Sequence, residues 1–299
     1  MSEDQPDFLP FSLRAQTESN VKFLALSLLI TLNVVAHGQV KVYVLDGGIL
    51  EGVVPERFGL KREEVTTTRL PAPCFLIVHP KGTIMWDGGA VPDSVWKYNG
   101  SPASYTVEYK DIKRQVSLSK PLKTQLEDIG YSPATITYLV LSHYHYDHTG
   151  NANIFSGATW LVRQTEYNAM FSDQPPKVTW PATYSSLKKN RRVFLTTEEH
   201  DVFGDGTVII KSAPGHTPGH LVLFLKLEKT GNIVLSGDLY HYAEERTLDR
   251  YPTFEFDKEQ TRLARIEVDK YLKKMNAQLW IQHDLQENIK LKKSPSWYE

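Results

Sequence analysis

Short runs of apolar and β-branched residues recur along this chain, and several of them end in a polar residue that can bind a metal ion. Runs of this kind, bounded by glycine, proline and polar turn formers, are typical of buried strands. They fall into an early and a late group, which predicts two sets of β-structure. The predicted strands are residues 40–45, 74–78, 83–86, 136–141, 208–211, 221–224, 233–235 and 279–281.

Two segments have the pattern of helices. Residues 121–130 carry leucine and isoleucine at helical spacing between the two groups of strands. Near the C-terminus, Asp257 is a candidate N-cap with Gln260 at the capping-box position, so a helix is predicted from there to about Met275.

The most informative polar residues are His143, His145, Asp147 and His148, which follow the predicted strand at residues 136–141. Alternate residues of an extended chain share a face, so the first two histidines are expected to point at one ion. Asp147 and His148 come after the chain has begun to turn, and we expect them to serve a neighbouring position. The spacing H-x-H-x-D-H therefore predicts two metal ions. Imidazole and carboxylate suit zinc, and also iron, manganese or cobalt, so the ligand types leave the element open.

Three further segments place a candidate ligand at the end of a predicted strand. His216 lies in a Pro-Gly-His-Thr-Pro-Gly-His turn, Asp238 ends a Ser-Gly-Asp motif, and His283 ends a Trp-Ile-Gln-His sequence. Taken singly, each has an ordinary structural explanation, such as a turn histidine or a helix-capping aspartate. Together with the first motif, and in this order, they predict a composite metal site.

This order of motifs resembles the metallo-β-lactamase superfamily. The resemblance spans about residues 40–283, and the residues around His143 together with the Trp-Ile-Gln-His-Asp ending are most similar to the N-acyl homoserine lactonases, which hydrolyse quorum-sensing signals. It implies a four-layer αβ/βα sandwich of the α/β class, with a dinuclear metal site at the edge of the sheets. Residues 39–299 are expected to form this single hydrolase domain.

The resemblance also implies how the ligands divide, with zinc the expected element for two divalent ions. His220 is expected to support the site rather than bind metal, and Asp87 to accept a hydrogen bond that orients a ligating histidine. The implied ligand set is His143, His145 and His216 for one ion, Asp147, His148 and His283 for the other, and Asp238 as the bridge between them.

The implied reaction is quorum quenching by hydrolysis of an N-acyl homoserine lactone. Two divalent ions about 3.5–4 Å apart share a water and lower its pKa from about 15.7 towards 7, which supplies hydroxide to attack the lactone carbonyl. Asp147 or Asp238 would relay the proton to the departing alkoxide. Family members often carry a tyrosine three residues after the bridging aspartate, whereas this chain has His241 there, flanked by Tyr240 and Tyr242. His241 is the expected catalytic donor, with either tyrosine as the alternative.

Other reactions fit the same motifs. The superfamily resemblance also covers β-lactamases, general lactonases or esterases, and glyoxalase-type thioesterases. A mononuclear iron persulfide dioxygenase is an alternative of a different class. Three protein ligands would suffice for it, which would leave Asp147, His148 and His283 without a task. The dinuclear lactonase is therefore the preferred interpretation.

Composition narrows the range of partners. Of 299 residues, 41% are hydrophobic and 23% charged, the formal net charge is −1, and there is no basic stripe with interleaved aromatic residues. Nucleic acid is therefore not an expected partner, and a small-molecule lactone with an acyl tail is. Cys74, the one cysteine, lies in a predicted strand and can form no intramolecular disulfide. The oligomeric state is left open, with a homodimer as one alternative.

The N-terminus resembles a secretory signal peptide. Residues 23–35 are almost wholly apolar and follow Lys22, and small residues precede a cleavage point after Gly38. The run is too short to span a bilayer comfortably, for which about 20 residues are needed, so no stable membrane anchor is expected. Residues 21–38 are therefore interpreted as the signal peptide of a periplasmic or secreted protein. Residues 1–20 carry four acidic residues and one basic residue, whereas a signal peptide begins with positive charge. A translation start at Val21 would leave this acidic stretch outside the protein.

Two aromatic segments are candidates for the walls of a substrate pocket. Residues 91–120 and 167–184 lie between predicted elements, where family members place pocket loops. Apolar loops beside charged ions suit a substrate with a polar ester head and an acyl tail. The large side chains considered are Trp96, Tyr98, Tyr105, Tyr109, Met170, Phe171 and Trp180.

Overall fold

The computed structural model of this protein describes residues 39–109 and 112–299. The predicted signal peptide at residues 21–38 and the N-terminal extension at residues 1–20 lie outside the described residues. The strands, in chain order, are β1 (Lys41–Leu45), β2 (Ile49–Leu50), β3 (Leu70–Pro71), β4 (Cys74–His79), β5 (Gly82–Trp86), β6 (Ala103–Tyr109), β7 (Ile112–Leu118), β8 (Tyr138–Val140), β9 (Thr159–Val162), β10 (Arg192–Phe194), β11 (Glu199–Asp201), β12 (Val208–Ser212), β13 (Leu221–Leu227), β14 (Gly231–Leu235), β15 (Ala277–Trp280) and β16 (Trp297–Tyr298). The α-helices are α1 (Leu122–Asp128), α2 (Tyr146–Thr149), α3 (Gln164–Met170), α4 (Ala243–Thr247), α5 (Lys258–Met275) and α6 (Leu285–Asn288).

The strands of the described residues form three sheets. The seven-stranded sheet has the order β10-β9-β8-β5-β4-β1-β16, and the five-stranded sheet has the order β11-β12-β13-β14-β15. A smaller sheet has the order β3-β2-β7-β6. In the first sheet β5, β8 and β9 pair in parallel, as β14 and β15 do in the second. The carboxyl ends of parallel strands meet at the same edge of a sheet, and those edges carry the site described below.

Both faces of the two larger sheets are buried, which produces the four layers. In β4, Cys74 belongs to the core shared with α1, whereas the next residue, Phe75, belongs to the core between the sheets. In β13, Leu223 faces the first sheet, and Phe224 faces α5. Full burial of a leucine or phenylalanine side chain contributes about 1.5–3 kcal/mol. The order helix, sheet, sheet, helix confirms the predicted αβ/βα sandwich, and burial on both faces explains why the strand sequences are continuously apolar.

Helix α5 covers the second sheet and begins where the sequence predicts. The Asp257 carboxylate accepts hydrogen bonds from the backbone N–H groups of Glu259 and Gln260 at 2.9 and 3.0 Å, which confirms the N-cap. The Gln260 side chain bonds that carboxylate at 2.9 Å and does not complete a capping box, because the Asp257 N–H donates to Gly215 O at 2.8 Å. The start of the helix is thereby tied to the Pro-Gly-His turn. Within the ranges that the structure describes, no helix combines the length and the apolar character needed to cross a membrane.

The largest difference from the sequence prediction lies in residues 91–120. The sequence predicts loops there, whereas β6 and β7 form an antiparallel hairpin. Val107 and Val116 are buried between polar neighbours, so the hairpin buries one face only and lacks a continuous apolar run. The strand predicted at residues 136–141 is also shorter, since β8 covers Tyr138–Val140 alone. Cys74 is a buried free cysteine in β4, as predicted.

Candidate metal centre

The loop after β8 carries the first four candidate ligands. His143 follows the strand by three residues, and His145 has an extended backbone (φ −62°, ψ 151°) immediately before α2. The single helical turn of α2 then carries Asp147 and His148. The backbone therefore changes direction between His145 and Asp147, at the point where the sequence predicts a turn.

The structure brings all seven predicted ligands together at one edge of the sandwich. They form two adjacent sets, and the ligand atoms of each set lie within 4.8 Å of one another. The histidines of both sets are buried. The first set is His143, His145, His216 and Asp238, and the second is Asp147, His148 and His283.

Within each set, nitrogen atoms face each other at short distances. His216 Nε2 lies 3.0 Å from His145 Nδ1, and His148 Nε2 lies 3.2 Å from His283 Nε2. Two nitrogen ligands at about 2.0–2.1 Å from one tetrahedral ion would be about 3.3–3.4 Å apart. The two pairs are therefore close to the spacing that a shared ion requires.

Asp238 lies between the two sets and turns one oxygen toward each. Its Oδ2 is 3.4 Å from His143 Nε2 and 3.3 Å from His216 Nε2. Its Oδ1 is 3.0 Å from Nε2 of both His148 and His283. This is the arrangement of a carboxylate that can bridge two ions.

The turn that carries Asp238 depends on Gly237 and His220. Gly237 has φ +50°, and a Cβ at this position would lie 2.6 Å from His220 Nε2. That nitrogen accepts a hydrogen bond from the Asp238 N–H at 2.9 Å, and His220 Nδ1 donates to Ala213 O at 2.9 Å. Burial, followed by the charge of His216, lowers the pKa of His220 to about 3, so the ring is neutral. His220 thus lies outside both sets and holds the backbone of Asp238.

Two atoms at the centre test whether metal ions fit. His143 Nε2 and Asp238 Oδ1 are buried and have no aligned hydrogen-bond partner among the described residues, although each has ring or carboxylate atoms nearby. An unsatisfied buried polar atom costs about 1–3 kcal/mol. Nitrogen and oxygen ligands at this spacing suit divalent ions. The residues present therefore fit a pair of such ions.

Asp87 follows β5 and contacts the Nδ1 side of the His148 ring. Its Oδ2 accepts hydrogen bonds from His148 Nδ1 at 2.8 Å and from Gln282 Nε2 at 2.7 Å. Ser142 donates its N–H to Oδ1 at 2.6 Å and its hydroxyl to Oδ2 at 2.9 Å. Asp87 has φ +62°, a left-handed conformation that aspartate and asparagine adopt more readily than most residues. The structure thus places Asp87 where the sequence predicts a residue that orients a ligand.

Two more histidines are oriented by groups that the sequence does not predict. His283 Nδ1 lies 2.6 Å from Pro71 O, and His216 Nδ1 lies 3.2 Å from Glu255 Oε1. The Glu255 side chain is only 2% exposed. Partners of this kind fix the tautomer and the direction of a ring, so Nε2 of each ring is turned toward the centre.

Burial and neighbouring charges set the protonation of the rings. Burial, followed by the charge of His148, lowers the pKa of His143 well below its usual value. Burial also opposes protonation of His148, but the charges of Asp238 and Asp87 outweigh it and raise the pKa of that ring. Negative charge is therefore concentrated beside the second set, where it would stabilise a cation.

His241 lines the cavity next to Asp238. Its Nε2 is 3.1 Å from Asp238 Oδ2, and its Nδ1 is 3.2 Å from Glu245 Oε1, although this second contact lacks hydrogen-bond alignment. Glu245 Oε2 accepts from the His241 backbone N–H at 3.2 Å and from Arg265 Nη2 at 3.0 Å. Burial lowers the pKa of His241, but the charges of Glu245 and Asp238 outweigh it and raise the pKa to about 10. His241 is therefore held between two carboxylates at the wall of the cavity.

The structure does not bring Tyr240 to the cavity, which corrects the prediction that it takes part in catalysis. Its ring packs in the core under α5, with the Arg265 guanidinium 4.2 Å from the ring centroid. Because the backbone is extended at Tyr240 (φ −146°, ψ 142°), its side chain and that of His241 point to opposite sides. Tyr242 packs against Phe58 at 5.5 Å, in the core beneath the small sheet.

A cavity of about 650 Å³ opens over the two sets of ligands. Asp147, Asp238, His241 and His283 line its floor. Residues 91–120 contribute Lys113 and Arg114, and residues 167–184 contribute Pro176, Lys177 and Val178. Further apolar residues of the lining are Leu50, Val53, Phe58, Leu70, Phe254 and Phe256.

The large side chains predicted for the cavity walls lie elsewhere wherever the structure describes them. Trp96, Tyr105 and Trp180 pack in the core beneath the small sheet, and Met170 and Phe171 pack in the core on the helical side of the first sheet. Tyr98 is 38% exposed and does not line the cavity. The side chain of Tyr109 lies outside the part that the structure describes. Both predicted segments do line the cavity, but with other residues: Lys113 and Arg114 of the β6–β7 hairpin, and the loop at Pro176, Lys177 and Val178.

Sequence reasoning missed the two acids that hold His241 and His216. Glu245 follows His241 by four residues, with α4 beginning between them, so helical spacing after the Ser-Gly-Asp motif is a signal that could have found it. Glu255 lies in an irregular segment and reaches His216 only through the tertiary fold. No local pattern predicts that contact.

The sequence was compared with known protein families and with characterised proteins. Residues 67–273 match the sequence model of the family described as Metallo-beta-lactamase superfamily. The N-acyl homoserine lactonase AttM of Azorhizobium caulinodans is 27% identical over 270 residues, which cover 87% of this chain and 99% of that relative. The N-acyl homoserine lactonase AiiA of Bacillus thuringiensis subsp. kurstaki is 25% identical over 232 residues, which cover 76% of this chain and 87% of that relative.

Solved structures share the fold. A mutant of B. thuringiensis AiiA with N-decanoyl-L-homoserine bound at its active site superimposes with a TM-score of 0.69 at 22% identity, over 86% of this chain and 98% of that chain. AidC, a dizinc quorum-quenching lactonase in complex with a product, superimposes with a TM-score of 0.60 at 18% identity, over 88% of this chain and 94% of that chain. These likenesses agree with the sandwich architecture described above.

Proposed function

Because the chain belongs to the metallo-β-lactamase superfamily, we propose that it is a metal-dependent hydrolase that opens the ring of N-acyl homoserine lactones with two divalent ions. The observation that carries the proposal is the position of Asp238, whose two oxygens face two separate pairs of histidines. Relatives named as N-acyl homoserine lactonases support the lactone as the substrate.

Zinc is the proposed element, because buried imidazole and carboxylate ligands are common for it. When bound, such ions would lower the pKa of a coordinated water towards about 7 and would polarise the lactone carbonyl. The proposed ligands are His143, His145 and His216 for one ion, Asp147, His148 and His283 for the other, and Asp238 for both.

Residues beside the ions would position the substrate and its protons. His241 lines the cavity with its Nε2 3.1 Å from Asp238 Oδ2, and its proposed role is to contact the ring oxygen that becomes the leaving alkoxide. The Glu245 carboxylate lies 3.2 Å from Nδ1 on the other side of the ring and accepts a hydrogen bond from the His241 backbone N–H, and its charge and position favour this direction of the imidazole. The Asp147 side chain is 10% exposed against 3% for Asp238, and Asp147 is therefore the carboxylate better placed to carry a proton to that alkoxide.

The apolar wall of the cavity would hold the acyl tail. Phe254 packs edge-on against Phe58 at 5.4 Å, and Phe256 lies at the mouth with 59% of its surface exposed. Each methylene that such a surface removes from water contributes about 0.8 kcal/mol. A tail of several carbons would therefore add measurably to the affinity for the substrate.

A mononuclear iron dioxygenase fits this geometry less well. The second set has three ligand-forming side chains, with His148 and His283 buried and Asp147 at the cavity, and Asp238 Oδ1 lies 3.0 Å from His148 Nε2. A single-ion enzyme would leave Asp147, His148 and His283 without a function. The β-lactamase, esterase and thioesterase alternatives share the two-ion site and differ in substrate.

A pH-stat assay of the zinc-loaded protein separates these hydrolases. We expect acid release from N-acyl homoserine lactones, and slower or no release from simple γ-lactones, a cephalosporin and a thioester. Turnover of the cephalosporin or the thioester without turnover of any lactone would rule out the lactonase.

Export is a separate proposal, supported by the apolar run at residues 23–35 and the small residues after it. Protein recovered from the periplasm or the medium should have Gln39 as its first residue by N-terminal sequencing. Recovery of the protein in the cytoplasm with residues 21–38 still attached would contradict export.

A further inference from the structure

His241 belongs to a segment that leaves Asp238 and ends beside α5. Residues 239–250 form this segment, which contains the five-residue helix α4. A helix of this length is not stable by itself in water, so contacts from other elements hold the segment in place. The Phe58 ring packs against the His241 ring at 4.6 Å between centroids. An apolar contact of this kind does not select which ring nitrogen faces Asp238.

One side chain of α5 binds this segment at three points. Arg265 donates from Nε to Leu239 O at 2.9 Å and from Nη1 to Arg250 O at 2.6 Å. Its Nη2 donates to Glu245 Oε2 at 3.0 Å. The three acceptors lie at the start, at the end and in the middle of residues 239–250. Arg265 is 4% exposed and Glu245 is 0% exposed, so water competes little for these bonds.

Two tyrosine rings hold the guanidinium of Arg265. Its Cζ is 4.2 Å from the ring centroid of Tyr240 and 4.3 Å from that of Tyr251. Arginine carries its donors on three nitrogen atoms in one rigid plane, and that plane stacks on aromatic rings. Lysine carries its donors on a single nitrogen, so it would keep the charge but could not reach all three acceptors. The contacts of residue 265 therefore require arginine.

Glu245 connects Arg265 to His241. Oε2 of Glu245, which Arg265 binds, also accepts a hydrogen bond from the His241 backbone N–H at 3.2 Å. Oε1 lies 3.2 Å from His241 Nδ1, whereas Nε2 of the same ring lies 3.1 Å from Asp238 Oδ2. Arg265 and Glu245 are not among the residues that line the cavity over the ligands. Neither of them would touch a substrate bound there.

We propose that Arg265 is a positioning residue for the reaction and acts through Glu245 on His241. This inference rests on the proposed function, in which His241 contacts the leaving oxygen. Arg265 fixes the Glu245 carboxylate, and the carboxylate keeps His241 Nδ1 on its side of the ring and Nε2 beside Asp238. A misplacement of about 1 Å at a reacting group can cost about 100-fold in rate. We therefore expect Arg265→Lys to lower kcat about 10- to 100-fold, and KM to change less than about threefold.

A double-mutant cycle on the zinc-loaded enzyme tests whether the effect passes through His241. In a His241→Phe background, Arg265→Lys should lower kcat by less than about twofold, because the group that it positions is already absent. The matched control is Arg262→Lys on the same helix, which should keep the wild-type kcat. Arg262 is bound to Glu259 at 2.8 and 2.6 Å on the surface, outside the cavity lining. A full loss in the His241→Phe background, or a wild-type kcat in folded Arg265→Lys, would overturn the proposal.

A measurement without turnover separates failure of this inference from failure of the lactonase proposal. Long-range 1H–15N spectra of the zinc-loaded protein report each histidine ring, and the signals missing in His241→Phe belong to His241. Arg265→Lys should shift or broaden these signals. Those of His79 and His200, which lie outside the cavity lining, should stay unchanged. Unchanged His241 signals in folded Arg265→Lys would overturn the proposal, whether or not any lactone is hydrolysed.

A second variant keeps the test decisive where Arg265→Lys does not fold. Glu245→Met combined with Arg265→Met removes both buried charges together, so that no unpaired charge remains. Methionine also keeps an apolar stem against the two tyrosine rings. This double variant should show the same loss of kcat at equal zinc content and the same change in the His241 signals. Wild-type kcat together with wild-type His241 signals would overturn the proposal.

Discussion

Replacing Asp87 by asparagine should weaken the second metal position selectively. The carboxylate accepts hydrogen bonds from His148, Gln282 and Ser142, and His148 belongs to the second set of ligands. Asparagine tolerates the left-handed backbone at this position, so Asp87→Asn leaves the turn intact. The substitution removes the negative charge and replaces one accepting oxygen by an amide N–H₂ group, which would face the hydrogen-bond donors that surround Asp87.

The size of the effect follows from these contacts. Loss of a partner that orients a ligating histidine costs about 10- to 100-fold in metal affinity, which corresponds to about 1.4–2.7 kcal/mol. The asparagine oxygen can still accept from the Ser142 N–H, but the amide nitrogen would face His148 or Gln282. One or two buried donors would then lack an acceptor, at about 1–3 kcal/mol each. We therefore expect a lower melting temperature together with the weaker second ion.

Competition with a chromophoric chelator gives the two zinc Kd values, and elemental analysis after dialysis gives the number of ions retained. The expected result is one tightly held ion per chain and a second Kd raised 10- to 100-fold. Asp93→Asn is the matched control, because Asp93 accepts from the backbone N–H groups of Leu122 and Lys123 at 2.9 and 2.7 Å and does not line the cavity. Two unchanged Kd values in Asp87→Asn, or two that weaken equally, would show that Asp87 does not act through His148.

Three further changes test other parts of the site. Glu245→Gln should lower kcat about 10- to 100-fold at constant zinc content, because His241 would lose the carboxylate beside its ring. The control Glu244→Gln, on the same helix, should leave kcat unchanged. Equal effects of the two substitutions would argue against a positioning role for Glu245. Gly237→Ala should lower the free energy of unfolding in urea by more than about 1 kcal/mol. Residue 237 has φ +50°, and the added Cβ would lie 2.6 Å from His220 Nε2. An unchanged urea midpoint would contradict this close contact between residue 237 and His220. Burial raises the pKa of Glu166 to about 7. Between about pH 4.5 and 7 the folded protein therefore keeps a proton on this carboxyl group that the unfolded chain has lost. The free energy of unfolding should fall by up to about 3 kcal/mol as the pH rises through this range. Glu166→Gln should lack this loss, and parallel pH curves of unfolding free energy for the two proteins would refute it.

Four of the seven candidate metal ligands lie within a six-residue run after a predicted strand, and their order could be read locally, whereas the family resemblance implied the roles of His216, Asp238 and His283. His143 and His145 follow a buried strand in extended chain, and Asp147 and His148 follow a turn within the same few residues. The helix cap at Asp257 is equally local. In each case the spacing along the chain determines the spacing in space.

The surroundings of the site are set by tertiary contacts and could not be predicted in the same way. Glu255 reaches His216 across 39 residues, and Arg114 reaches the cavity only because β6 and β7 pair as a hairpin. The direction of the Tyr240 side chain depends on the extended backbone that follows a short 3-10 turn. In such a backbone, neighbouring side chains point to opposite sides, so a shift of one residue decides whether a side chain faces the cavity or the core. The sequence therefore predicts which residues can bind metal better than which residues surround the substrate.

The most direct test of a two-ion lactonase is stepwise reconstitution of the metal-free protein. Zinc is added from zero to four equivalents per chain, and bound zinc and the initial rate of acid release from an N-acyl homoserine lactone are measured in each sample. The geometry around Asp238 predicts a rate that reaches its plateau at two bound ions, with one proton released per lactone opened. A plateau at one bound ion, or an intact lactone with two ions bound, would contradict the dinuclear lactonase.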